Sequence, residues 1–454
     1  MRTWLKAAID YADQWLECQM RLTRQPGCVF AVAHKGRLVF EKAYGHANVL
    51  EGERMTPRHR FRVASHSKSF TAAAILKLRE AGELGLDDPV GRYVDGLHAS
   101  LAPVTLMQLL SHGAGVIRDG ADAGQWIDER PFADEADLRV ALSEPPLIPP
   151  GTRMKYSNHG FGLLGMVIER VAGEPYGDWI TRNILVPLKL DETRPDAPFD
   201  AGTPVARGHS AEVPLGHRVI IPGDNPTNAL APATGFISTA ADLVRFFASL
   251  DPSATQGLLS PASRRAMLQR QWRDPHATAE GYYGLGLCLG VADGWEWAGH
   301  GGGFQSAKTF TAMLPGSGIC FSVLTNAIDG MGEIWSDGVI KILKTFATSE
   351  PPTGRARAWT GRWWSLGAVV DLVPFNDRVL VATPSLLDPF AAANEITITA
   401  RDRGVISLSG GYGRHGEPAR LVRDRNRTVR EVWLGGSRLV PEHRIKTEMK
   451  RKYE

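Results

Sequence analysis

The hydrophobic pattern changes abruptly at residues 347–354, Ala-Thr-Ser-Glu-Pro-Pro-Thr-Gly. Before this stretch helical and strand-like segments alternate. Beyond it come short runs of strand-favouring residues, beginning near Val369, Val379, Glu395, Val405, Arg420 and Glu431, each bounded by turn residues. A stretch so rich in proline and turn formers continues neither pattern and reads as a linker. Evenly spaced short strands suggest a small closed barrel or sandwich. The chain is therefore expected to divide into residues 1–346, a linker at 347–354 and an all-β barrel domain at 355–454. Its 454 residues, 43% hydrophobic and 22% charged, supply one large core and a smaller module.

Charge and targeting signals narrow the function classes. A net charge of +3 is too slight to argue for nucleic acid or a membrane as partner. Residues 352–454 hold 18 Lys/Arg against 11 Asp/Glu, which reads as the solvated outside of a barrel. Trp4, Ala8, Ala12 and Trp15 trace one face of an amphipathic helix, and Asp10 and Asp13 interrupt the apolar run a signal peptide needs. No apolar run reaches membrane-spanning length. Cys18, Cys28, Cys288 and Cys320 form no C-x-x-C, which predicts free thiols and a reducing, cytoplasmic setting.

Three short runs carry chemistry. In the first, Ser65 and Lys68 form an S-x-x-K in which both side chains leave one face of a helix. A serine hydroxyl needs a neighbour to take its proton, and a lysine of lowered pKa can do so. The helix-favouring run 71–78 follows, which places Ser65 at a helix start, where the dipole favours developing negative charge. Alone, Ser65 could equally be an N-cap. The second run holds Tyr156 and Asn158 in a loop after Pro149-Pro150-Gly151, ahead of a helix over 161–171. The third is His300-Gly301-Gly302-Gly303, leading into strands at 308–315 and 319–326 that form a hairpin. Glycines along a strand let a ligand approach the backbone.

In this order and at these spacings the runs resemble the serine β-lactamase and penicillin-recognising family, in its class C, D-aminopeptidase and esterase branch. The resemblance spans about 26–345 and takes in Leu109-Leu-Ser-His112-Gly-Ala-Gly115 and Tyr283-Gly-Leu-Gly286. It implies an α/β (α+β) fold: an antiparallel sheet flanked by helices, a mostly helical subdomain over about 87–267, and a C-terminal lipocalin-like barrel. It also implies an acyl-enzyme on Ser65, with Lys68 and Tyr156 sharing the general-base work, the base itself left open between them. Asn158, His300, Gly301 and Gly302 would bind substrate, the N–H groups of Ser65 and Gly303 would form the oxyanion hole, and no metal or cofactor is required. The substrate would be a small amide or peptide, D-residues included, or else an ester; a penicillin sensor or weak β-lactamase stands behind these. A homo-oligomer is left open. His300 stands where classical β-lactamases carry lysine, so a fixed positive charge for a β-lactam carboxylate is missing.

Other chemistries lack their motifs. No serine lies in a G-x-S-x-G, no Gly-Lys dipeptide offers a P-loop, and no H-E-x-x-H occurs. His112 and His159 lie near the runs and are read as structural.

Overall fold

The computed structural model describes residues 3–213, 215–274, 280–305, 307–410 and 413–454. It separates into two compact units. One is Arg24–Ser336; the other combines Met1–Thr23, which contains helix α1 (Thr3–Leu22), with Asp337–Glu454.

The unit Arg24–Ser336 is built on one antiparallel sheet. Its strands are β1 (Gly27–His34), β2 (Arg37–Asn48), β3 (Glu53–Arg54), β4 (Trp272–Arg273), β5 (Glu280–Tyr283), β6 (Cys288–Ala292), β7 (Trp295–Phe304), β8 (Ala307–Leu314) and β9 (Ile319–Thr325). They lie in the order β3-β2-β1-β9-β8-β7-β6-β5-β4. The hairpin expected after the glycine run is β8–β9, and β1 joins it through Cys28↔Thr325 to His34↔Ile319. Every residue of β9 is buried, as a central strand covered on both faces requires. Helix α4 (Ala240–Ser249) packs across β1, β2, β8 and β9, burying Leu243, Val244, Phe246 and Phe247.

Two further helices position the site. Helix α2 (His66–Glu80) enters from a two-residue ladder that pairs Phe61–Arg62 with Ile237–Ser238. Its first turns are buried yet polar. His66 bridges Val63 O (2.8 Å) and Thr311 Oγ1 (3.0 Å), and Ser67 Oγ donates to Ala64 O (2.5 Å) while accepting from Phe236 N (3.0 Å). Ser69 Oγ donates to Gly286 O and Thr71 Oγ1 to Pro232 O, each at 2.7 Å. Each buried hydroxyl is thus partnered, which offsets its desolvation. Helix α3 (Asn158–Ala172) lies in the expected helical insert and packs against α2.

In the other unit, β10 (Gly361–Trp364), β11 (Val369–Phe375), β12 (Arg378–Ala382), β13 (Asn394–Ala400), β14 (Arg403–Leu408), β15 (Pro418–Arg423), β16 (Val429–Leu434) and β17 (Ser437–Leu439) form a meander in sequence order. Trp364 and Val440 exchange two backbone hydrogen bonds of 2.8 Å, so first and last strands meet and the sheet is nearly closed as a barrel. Trp359, Trp363, Val379, Ile396, Ile406 and Val432 belong to its core. Many of its basic residues are paired: Arg362 with Asp371, Arg423 with Asp402, Arg438 with Glu431 and Glu448. Helix α1 is tied to this unit by Trp15 Nε1 donating to Leu386 O (3.1 Å) and Gln19 Nε2 to Pro384 O (2.8 Å). The chain ends in a helix, α6 after α5 (Gly332–Thr348), spanning Glu442–Tyr453, which the strand pattern does not foresee. Among the described residues no helix is long and apolar enough to cross a membrane.

Candidate active site

Ala64 turns the chain. Its φ of +47° is left-handed, a conformation an alanine adopts only when its surroundings impose it, and it is fully buried. Ser65 follows at the N-cap position of α2, but its side chain caps nothing. Oγ instead accepts from Tyr156 OH at 2.8 Å and from Lys68 Nζ at 3.1 Å. Its hydroxyl is thus held by these two side chains and not by the helix end it precedes.

Lys68 is wholly buried. Its Nζ also donates to Asn158 Oδ1 (2.7 Å) and to Ala233 O (2.8 Å). Burial drives this amine well below the usual lysine range; Asp119 pulls it partly back and Arg118 pushes it further down. A neutral amine has two N–H groups, and the two acceptor-only partners use both. In that neutral form the lone pair would face Ser65, and the 3.1 Å contact would reverse so that Oγ–H donates to Nζ. Burial acts oppositely on Tyr156, raising its phenol so that the proton stays on.

Asn158 is placed more firmly than a loop would place it. Ser157 is the N-cap of α3, its Oγ accepting from Gly160 N at 2.9 Å, and Asn158 is the first helical residue. With the cap supplied by its neighbour, the Asn158 amide is free to face Lys68. Its Nδ2 donates to Asp119 Oδ1 at 2.5 Å, and Arg118 Nε donates to Asp119 Oδ2 at 3.0 Å. The sequence reading missed Asp119, a single aspartate in an irregular loop with no local signal. His112, read as structural, packs directly on Tyr156 with ring centroids 4.1 Å apart and accepts from Ser157 N. His159 is buried beside Gly120.

The glycine run lies in β7, which pairs with β6 over 295–299 and with β8 over 298–304. Gly301, Gly302 and Gly303 therefore have no ladder partner on the β6 side among the described residues. A Cβ on Gly302 would fall 2.1 Å from Val63 O, so only glycine lets this strand approach the chain leading to Ser65. Ser65 N–H donates to no backbone carbonyl among the described residues. His300 does not face open solvent. Gly301 O, 2.7 Å from Nδ1, can only accept, so Nδ1 carries the proton and Nε2 accepts from Tyr283 OH at 3.1 Å. Burial, with Lys68 adding to it, pushes the imidazole down to about 3, far from the near-neutral titration of an ordinary histidine. Among the described residues no group of His, Cys, Asp and Glu could hold a metal ion.

The beta-lactamase family profile matches residues 12–333. The chain is 30% identical to "Esterase EstB" of Burkholderia gladioli over 291 residues, 56% of this chain and 73% of that one. Among solved structures it is similar to a D-stereospecific amidohydrolase from Streptomyces sp., 27% identical with a TM-score of 0.62 over 74% of this chain and 97% of that one. The fold also resembles the octameric penicillin-binding protein homologue from Pyrococcus abyssi, at a TM-score of 0.67 and 23% identity, over 95% and 100% of the two chains. With a family profile over most of its length and hydrolytic relatives, the chain is a serine hydrolase and belongs to the beta-lactamase family.

Proposed function

We propose that Ser65 Oγ attacks the carbonyl of a small amide or short peptide, D-residues included, forming an acyl-enzyme that water then cleaves. The observation that carries this is Ser65 Oγ held at once by Lys68 Nζ and Tyr156 OH. The Lys68 amine takes the serine proton, Tyr156 gives its own to the leaving nitrogen, and the Lys68 ammonium restores it. Asn158 aims Lys68. The N–H groups of Ser65 and Gly303 receive the oxyanion, a contact typically worth 10²–10³ in kcat per donor. The glycine stretch at Gly301 and Gly302, without a ladder partner on the β6 side among the described residues, lines the seat of the substrate. His300 holds Tyr283 and supplies no cation, so β-lactams are poor substrates. This reading fits the D-aminopeptidase and esterase branch.

Ester hydrolysis is the second reading, favoured by the likeness to an esterase. A panel of D- and L-aminoacyl anilides, p-nitrophenyl esters and a chromogenic cephalosporin, run on wild type and Ser65→Ala, separates the two. Turnover should vanish in Ser65→Ala, and a fluorophosphonate should add once, on Ser65. Persistent turnover or an adduct elsewhere ends the assignment.

The chemistry is assigned to residues 1–346, and 355–454 is read as a lipocalin-like module. The four free cysteines fit a reducing, cytoplasmic setting. Light scattering on the full chain tests for a homo-oligomer.

A further inference from the structure

Lys68 needs more than burial to act on Ser65: its lone pair has to point at Oγ. Two acceptors fix that direction, and they differ in kind. Ala233 O belongs to the backbone and cannot turn. Asn158 Oδ1 belongs to an amide whose oxygen and nitrogen exchange places on a half-turn about its terminal bond. In the turned state an NH₂ group would face Lys68 Nζ, donor against donor, and the lysine would have to seek another acceptor.

One contact forbids the turned state. Asn158 Nδ2 donates to Asp119 Oδ1 at 2.5 Å. A carboxylate only accepts, so the nitrogen must stay on that side. Asp119 is itself pinned by Arg118 Nε at 3.0 Å and is nearly buried, its side chain 10% exposed. We propose that Asp119 is a positioning residue, which locks the Asn158 amide so that Lys68 is held with its free electron pair on Ser65. The proposal rests on the acyl-enzyme reading above.

Asp119 also acts through space. Besides Ser65 and Asn158, the groups facing Lys68 are Tyr156, His112, His300, Cys288, Arg118 and Asp119, and among the described residues Asp119 is the carboxylate of this set. Its charge favours the ammonium. Removing the charge should therefore make Lys68 easier to deprotonate. The acid limb of kcat/KM, which marks loss of the free amine, should move to lower pH.

The test uses the full-length enzyme with Asp119→Asn, Asn158→Ala and the double variant, assayed against the best p-nitrophenyl ester. Asp119→Asn should lower kcat at least about tenfold with KM within about threefold, because an asparagine can present either oxygen or nitrogen to Asn158. Its acid limb should fall by about one pH unit. The double variant should match Asn158→Ala in kcat within about threefold, since one residue works through the other. Multiplying losses overturn the proposal, as does a slower Asp119→Asn enzyme with an unmoved acid limb, which is what a merely structural aspartate would give. Wild-type kcat in Asp119→Asn overturns it as well. The two readings fail separately. If wild type takes no fluorophosphonate on Ser65, the acyl-enzyme reading falls and this proposal with it. If labelling is normal and the Asp119 effects are missing, this proposal alone falls.

Discussion

Replacing Gly302 with alanine would place a Cβ 2.1 Å from Val63 O and 2.5 Å from Thr309 Oγ1. Real Cβ contacts to oxygen stop near 3 Å, so one backbone must retreat by about 1 Å. Val63 lies two residues before Ser65, and its N–H is fixed to Phe236 O at 2.9 Å. Retreat of β7 opens the gap between Gly303 and Ser65, and retreat of Val63 moves Ser65 itself. Either way a group of the proposed catalytic set shifts by about an ångström, which should cost on the order of 10²-fold in kcat. Overpacking should also lower stability by about 1–3 kcal/mol. The neighbours provide the control. At Gly303 the nearest atom to a new Cβ is Lys308 Nζ at 2.9 Å, the end of a flexible chain; at Gly301 it is Phe310 Cδ2 at 3.3 Å. Gly303→Ala and Gly301→Ala should keep unfolding free energies within about 0.5 kcal/mol of wild type. The assay is steady-state ester hydrolysis, with urea unfolding and the rate of fluorophosphonate labelling measured on the same preparations. A Gly302→Ala enzyme with wild-type kcat, or three variants equally destabilised, refutes the steric argument.

Lys68→Ala and Tyr156→Phe should each lower kcat by at least about 10²-fold, and the double variant should lose little more, because both serve one relay from Ser65 to the leaving group; a multiplicative loss in stopped-flow acylation would contradict this. Ser157→Ala removes the cap of α3 and should cost about 1 kcal/mol in a urea titration, with an unchanged midpoint counting against it. His66 and His300 are buried neutral, held down at about 4 and about 3, while the unfolded chain titrates near 6.5. Between those values the unfolded state binds more protons, so stability is full above about pH 6.5 and falls as pH drops toward 4, by up to about 3 kcal/mol for each. The urea midpoint should fall steeply from pH 7 to 4 in wild type and less steeply in His66→Gln; a flat wild-type profile would sink the argument.

What could be read in the sequence was what local spacing encodes. Ser65 and Lys68 are one helical turn apart, so any helix there brings them together. The strands at 309–314 and 320–325 declare themselves by β-branched residues around a Pro-Gly turn. The missing parts are those that local pattern does not carry. Asp119 reaches Asn158 from a loop, and Ala233 contributes only a carbonyl, which any residue would supply. Ala64 holds a left-handed turn without the glycine that usually marks one. Helix α6 has no buried residue and hence no apolar stripe; its signal lies in the pairs Glu442–Lys446 and Arg444–Glu448. Strands β10 and β17 are too short for alternation to show. The resemblance gives His300 a place beside the substrate, but its tautomer is set by burial, Gly301 O and Tyr283, which motif spacing does not carry.

The buried polar turns of α2 have a consequence for when activity appears. An apolar helix can slide or roll in its seat and lose little, because dispersion is tolerant of direction. Here the seat is a set of directed bonds to residues as distant along the chain as Pro232, Phe236, Gly286 and Thr311. Each tolerates only a narrow range of angle. All of those segments must have docked before the helix has a single orientation, and only that orientation presents Ser65 to Lys68 and Tyr156. A chain still emerging or partly unfolded is therefore chemically silent. Recovery of turnover on refolding should trail recovery of helical ellipticity, making activity a late clock for completion of the fold.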